Sequence, residues 1–275
     1  MGRRRLLLVV TLLIGMVGSV GTGASASTAA RGSFSWNDPD PALVTASVAA
    51  GRDELWVHVR PGTVRSGGLR ATAAAGQRAG VRVAALGGDP NWADRGRAAA
   101  LAWVSEVAAA DGVDHVVLDI EPYLLPEWSR SASSQRKLVD RFVGTLAEAK
   151  KRAGSDQLTV AIPFWFDEIP ASTGRGTLLD QVAAVADGLL VMAYRDTPQA
   201  QVQLVGEERR VAAATGTRLW VALELTAQDP AYISYHGRPR AEVDRAVAHL
   251  ESALGEDRMF AGTVLHTLEA YQAMR

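Results

Sequence analysis

The stretch Val113–Pro126, VDHVVLDIEPYLLP, sets two carboxylates, Asp119 and Glu121, among the apolar residues Val116, Val117, Leu118 and Ile120. A lone buried carboxylate is costly and either shifts its pKa or takes a partner. Two of them on one face of an extended chain have another use. The charge on Asp119 raises the pKa of Glu121, so that Glu121 keeps a proton to give while its neighbour stays ionised. That suits general-acid chemistry on a glycosidic oxygen.

Other apolar runs also end in polar groups. His58 and Arg60 close the second run and Asp89 follows the third. Trp165 and Asp167 follow the fifth, Tyr194 and Asp196 the sixth, Glu224 the seventh and His266 the eighth. Each has a plainer reading. His58 and His266 could be satisfied core histidines, Arg60, Asp89 and Asp167 loop charges or helix caps, and Asp196 a cap or a partner of Arg195. The lower halves of the same runs read as nearly free of charge, and that asymmetry suggests a single polar rim.

Tryptophan narrows the ligand class. The chain has seven, against five Phe and five Tyr. Trp36, Trp92, Trp128 and Trp165 fall at run ends or in the loops beyond, where an indole face can stack on a sugar ring. Tyr123, beside the acid pair, joins Trp36, Trp92 and Trp165 as a substrate-binding candidate. Trp56, Trp103 and Trp220 read as core, and the plainer view is that all seven simply pack.

Other chemistries find little support. The five histidines are scattered, with no His-Glu-x-x-His and no close ligand pair, so no metal is expected. There is no Gly-x-Ser-x-Gly elbow, and with no cysteine a thiol nucleophile is excluded. Gly174-Arg175-Gly176 follows no strand and reads as a turn, so no nucleotide loop is seen, and no cofactor is expected.

The elements that must position these residues alternate. Predicted strands are 33–36, 54–60, 81–87, 115–121, 158–166, 188–194, 218–225 and 262–266. Between them lie helical patterns such as ADRGRAAALAWVSEVAAA and SQRKLVDRFVGTLAEAKKRAG. Gly80, Gly112, Gly154, Gly188 and Gly216 read as helix ends leading into the next strand. Eight such alternations in about 250 residues predict a (β/α)8 barrel, an α/β fold in one domain over 33–275; an open doubly wound sheet is the competitor. In a barrel the active site lies at the C-terminal strand ends, and alternate residues point inward. Val117, Asp119 and Glu121 share one parity, which sends both acids to the mouth.

The first 26 residues read as a signal peptide. Arg3, Arg4 and Arg5 precede an apolar run from Leu6 to Val20, and Ala24-Ser25-Ala26 offers a small-x-small cleavage site. Glycines interrupt the run, which speaks against a retained anchor. Residues 27–32 read as a short polar lead into the barrel, and the mature protein as secreted, without membrane attachment. Without those three arginines the 29 basic residues fall to 26 against 30 acidic ones, a charge of about −4. No basic stripe stands out, so nucleic acid is not expected as a partner, and nothing requires more than a monomer.

The residues around the acid pair resemble the chitinase-type, family-eighteen glycoside hydrolases, whose fourth strand carries Asp-Gly-x-Asp-x-Asp-x-Glu. Here DHVVLDIE supplies Asp114, Asp119 and Glu121, with His115 in place of the glycine and Val117 in place of the middle Asp. VMAYRD resembles the family's Met-x-Tyr-Asp through Met192 and Tyr194, with Asp196 one place late, and His266 stands where a tryptophan usually floors the sugar site. The resemblance implies a barrel in which Glu121 protonates the leaving oxygen, Asp119 assists it, Tyr194 bonds near the reacting centre and the substrate's N-acetyl oxygen attacks. The replacements at Val117 and His266 point away from chitin itself. A second resemblance, to retaining cellulase-like barrels, implies Glu121 as acid/base and Glu224 as nucleophile about 5 Å apart, although Ile120 stands where those enzymes have Asn. A third reading is a sugar-binding barrel without turnover. All three make a carbohydrate the partner.

Overall fold

The computed structural model describes residues 29–275; the signal-peptide expectation for residues 1–26 lies outside them. Eight parallel strands close into a barrel in chain order. They are β1 (Ala30–Ser35), β2 (Glu54–His58), β3 (Arg82–Gly87), β4 (His115–Leu118), β5 (Gln157–Pro163), β6 (Gly188–Met192), β7 (Arg218–Glu224) and β8 (Phe260–His266). The protein is a (β/α)8 barrel. Helices α1 (Pro41–Ala49), α2 (Gly68–Ala79) and α3 (Arg97–Ala108) follow the first three strands, and α4 (Pro126–Arg130) and α5 (Ala132–Ala153) follow β4. Then come α6 (Leu178–Ala183), α7 (Pro198–Leu204), α8 (Gly206–Thr215), α9 (Arg240–Leu254) and α10 (Leu268–Ala273).

Strand alternation builds two cores. Phe34, Trp56, Leu86, Val117, Leu190 and Trp220 point inward and fill the barrel. Their neighbours Leu55, Val57, Val116, Leu118, Leu189 and Val191 point outward and pack beneath the helices. Both faces are buried, so the strands read as nearly continuous apolar runs. Helix α5 shows the complementary pattern: Leu138, Val139, Phe142, Leu146, Ala149 and Ala153 form its buried stripe, the 3.6-residue period of a helix lying on a sheet. The Ser131 side chain accepts from the Ser134 backbone N–H, and Lys150, Lys151 and Arg152 crowd its last turn, where cations favour the helix dipole.

Four strands end two or three residues sooner than the sequence suggests: β2 at His58, β4 at Leu118, β5 at Pro163 and β6 at Met192. The chain bends away at the rim, although the Asp119 N–H still reaches the Gly87 carbonyl at 2.9 Å. Gly80, Gly112, Gly154 and Gly216 turn with positive φ, but Gly188 opens β6 and ends no helix. Its reason is crowding: a Cβ there would lie 2.6 Å from Thr159 Oγ1 and 2.7 Å from Trp220 Cζ3.

The lower end of the barrel corrects the expected absence of charge. Glu54, only 6% exposed, accepts through Oε2 from the indole N–H groups of Trp56 at 3.2 Å and Trp220 at 3.1 Å. Arg82 lies 3.7 Å from its other oxygen and donates to Gln157 at 3.1 Å. His115 Nε2 meets Thr159 Oγ1 at 2.8 Å; burial first, then Arg82 and Arg218, holds its imidazole neutral, well below the usual range. The expectation that Trp56, Trp103 and Trp220 are core residues agrees with the structure.

Candidate active site

The upper end gathers the acids. Asp119 and Glu121 leave β4 on the parity of Val117, and Glu121 opens a short 3-10 turn, Pro122–Leu124. That turn carries Tyr123 back over the pair, so that its hydroxyl donates to Glu121 Oε1. Trp165, after β5, packs edge-on against the Tyr123 ring with centroids 5.1 Å apart, and Trp128 of α4 lies 5.9 Å from Trp165. This aromatic group fixes Tyr123, and Tyr123 orients Glu121. Burial, with Glu121 beside it, holds the Tyr123 phenol protonated, far above its ordinary value.

The expectation that Asp119 stays ionised is corrected: it is the carboxyl that its surroundings raise, from 3.8 to about 7. Burial is the main cause and the nearby Glu121 adds to it, while His266 opposes. Its Oδ1 is buried and has no hydrogen-bond partner among the described residues, an orphan acceptor of the kind that clusters at functional sites. Tyr194 lies against the inward core. Burial, then the charges of Glu224, Asp119 and Glu121, pushes its phenol well above the usual range. A neutral O–H donor therefore faces a set of acids at neutral pH.

Glu224 and His266 sit opposite each other in the β7–β8 ladder. Glu224 is 1% exposed and both its oxygens are engaged. Oε1 accepts from the Thr226 N–H at 2.6 Å and from its hydroxyl at 2.7 Å; Oε2 faces His266 Nδ1 at 2.8 Å. Trp36, 41% exposed, extends past β1 and donates its indole N–H to His266 Nε2 at 2.8 Å. Its ring lies 5.2 Å from that of His58, whose pKa burial and then Arg60 lower.

Asp119, Glu121, Tyr123, Tyr194, Glu224, His266, Trp36 and His58 thus converge, with Trp165 behind Tyr123. Five strand-end or loop residues stand apart. Trp92 is 3% exposed and packs on Trp103, centroids 5.6 Å apart; it is a core residue, since burying an indole in the helix layer is worth more than leaving it in water. Asp89 accepts from the Asn91 backbone N–H at 2.8 Å and caps a 3-10 turn, the plainer of its two readings. Arg60 pairs with Asp38 on the surface. Asp167 lies on the turn after β5, and its charge is felt by Glu208 of α8, whose carboxyl burial raises to about 8. Asp196 pairs with Arg238 and not with Arg195.

Thr226, which fixes Glu224, was invisible as a site residue; only its place two positions beyond a strand-end acid hints at it. Among the described residues no group of three or more His, Asp or Glu could hold a metal ion, and no helix is long and apolar enough to cross a membrane.

No known family's sequence profile matches the chain, and no curated protein sequence matches it. Solved structures do resemble it. A class V chitinase mutant from the cycad Cycas revoluta, in complex with (GlcNAc)3, superposes with a TM-score of 0.53 at 15% identity, covering 90% of this chain and 97% of that one. A broad-specificity endoglucanase from an uncultured bacterium gives 0.57 at 10% identity, with 88% of each chain covered. The likeness is one of fold. A putative deoxyribose-phosphate aldolase from Toxoplasma gondii shares it too, at 0.50 and 16% identity over 90% of each chain, so the barrel alone does not choose between glycosidase and aldolase chemistry.

Proposed function

We propose that the protein is a secreted glycoside hydrolase of the chitinase-like kind, with Glu121 as general acid assisted by Asp119 and Tyr194. One observation carries this reading: at the C-terminal end of β4, Glu121 is oriented by Tyr123 beside an Asp119 carboxyl raised to about 7. A carboxyl that holds its proton up to about pH 7 next to the proposed acid is a proton store for acid catalysis at a glycosidic oxygen. In this reading the Tyr194 hydroxyl donates to a sugar oxygen or N-acetyl carbonyl beside them. Trp36 supplies an exposed ring for stacking.

The alternative in which Glu224 attacks as a nucleophile has less support. Glu224 is 1% exposed, and contacts with Thr226 and His266 take up three of its roughly four lone-pair sites, so little of it is open to a sugar. Release of reducing ends across acetylated and non-acetylated glycans tests the hydrolase reading, with Glu121→Gln as control. The Cycas enzyme bound (GlcNAc)3, so acetylated oligosaccharides head the panel. Cleavage of at least one glycan by the parent, lost in the variant, is expected; binding without any product would instead favour a sugar-binding barrel.

A further inference from the structure

The polar chain Trp36–His266–Glu224–Thr226 has only one possible direction. An indole nitrogen donates and never accepts. The 2.8 Å contact from Trp36 Nε1 therefore makes His266 Nε2 the bare nitrogen. Its Nδ1 carries the proton and donates it to Glu224 Oε2 at 2.8 Å. Glu224 also takes both protons that Thr226 offers, at 2.6 and 2.7 Å. Only an acceptor-only group satisfies donors on both sides, and among side chains of this size that is a carboxylate. Reversing any member sets two donors face to face.

From this we infer that Glu224 and His266 are positioning residues that hold Trp36 as a preset wall of the barrel mouth, and that a second proton on His266 releases it. Trp36 is the exposed end of the chain; an indole in that position without an acceptor would be free to turn. Fixing it in advance removes the ordering cost from whatever stacks on it. That the stacking ligand is the flat face of a sugar ring rests on the hydrolase reading; the coupling itself does not.

Several groups pack on His266. Glu224 faces it from β7, the Asp119 carboxyl from beyond β4 and the Tyr194 ring from beyond β6 at 6.4 Å. On the β1 side lie Trp36 and Phe34, at 5.9 and 5.6 Å, neither of which titrates. Trp36 is the contact that a doubly protonated ring cannot keep, because Nε2–H would then meet its indole N–H. Trp36 is the side chain that yields, being exposed where the others are buried.

Nitrogen-15 spectra of the histidine rings and indole N–H groups of the full chain test this, with the Trp36 signal assigned by its loss in Trp36→Phe. The parent is expected to show His266 protonated at Nδ1 and a hydrogen-bonded Trp36 indole. In Glu224→Gln the amide oxygen goes to the two Thr226 donors, and its NH2 then faces Nδ1. The His266 tautomer should flip, and the Trp36 indole should shift and exchange with water roughly 2- to 10-fold faster, the worth of about one hydrogen bond. In the parent, acidification should move the Trp36 indole on the same titration curve as the His266 ring. An unchanged tautomer and indole signal in Glu224→Gln, or separate titration curves in the parent, would overturn the inference. These signals do not depend on turnover, so a protein that hydrolyses nothing could still show the coupling, and a working hydrolase could lack it.

Discussion

Asp119 ionises near 3.8 in the unfolded chain and only near 7 in the fold. Below about 4 both states hold the proton. Between those values the unfolded state releases it first, so stability falls as pH rises, and above about 7 the loss is complete and level. Asp119→Asn removes the charge and keeps the shape. Thermal melts should show no gain for the variant at pH 4, and at pH 8 a gain of at least roughly 2–4 °C, the equivalent of about 1 kcal/mol in a chain of this length. At this scale the sequence was partly legible. Strand parity brought Asp119, Glu121, Tyr194, Glu224 and His266 to one end, but which acid would be raised depended on burial that no spacing encodes. Trp92 and Trp36 look alike as loop tryptophans, and only the presence of Trp103 behind one of them separates core from rim.

The segment after β4 can lie close against the segment after β3 because no side chain stands between them. Gly88 has no side chain where a Cβ would lie 2.0 Å from the Asp119 carbonyl oxygen and 3.1 Å from its Cβ. The obstacle is backbone, which cannot swing aside as a side chain can. Gly88→Ala should therefore push the acid-bearing segment away, costing roughly 1–3 kcal/mol as overpacking does. Urea denaturation measures that cost, and because the displaced segment carries Asp119 and Glu121, activity per folded molecule should fall with it. Elements were the most legible level of the sequence. Their existence and order follow from apolar runs alternating with helical patterns, and α5 matches its predicted stretch closely. Strand ends were less so: Arg60, Glu121 and Tyr194 continue the apolar alternation after the ladder has stopped, and only sheet hydrogen bonds record where it stops.

The whole molecule has two polar poles with an apolar barrel between them. The upper pole gathers the acids. The lower is closed by Glu54 under Trp56 and Trp220, a buried carboxyl that burial raises although Arg82 and the two indoles favour its charge. Residues at the N-terminal face of such a barrel serve stability. Glu54→Ala leaves two indole N–H groups and a cavity, and should cost about 2–5 kcal/mol in urea denaturation, with activity per folded molecule unchanged. This pole was hidden in the sequence, because Glu54 begins an apolar run and looks like a solvent-facing strand start, and its partners lie on β2, β3 and β7. The central claim concerns the other pole, where Glu121 is to give its proton to the departing oxygen. The direct measurement is hydrolysis by Glu121→Gln of two substrates with the same sugar: a natural oligosaccharide, whose leaving group needs a proton, and a dinitrophenyl glycoside, whose leaving group does not. The account predicts a loss of roughly 100-fold or more on the first and far less on the second; equal losses on both, or none on the first, would contradict it.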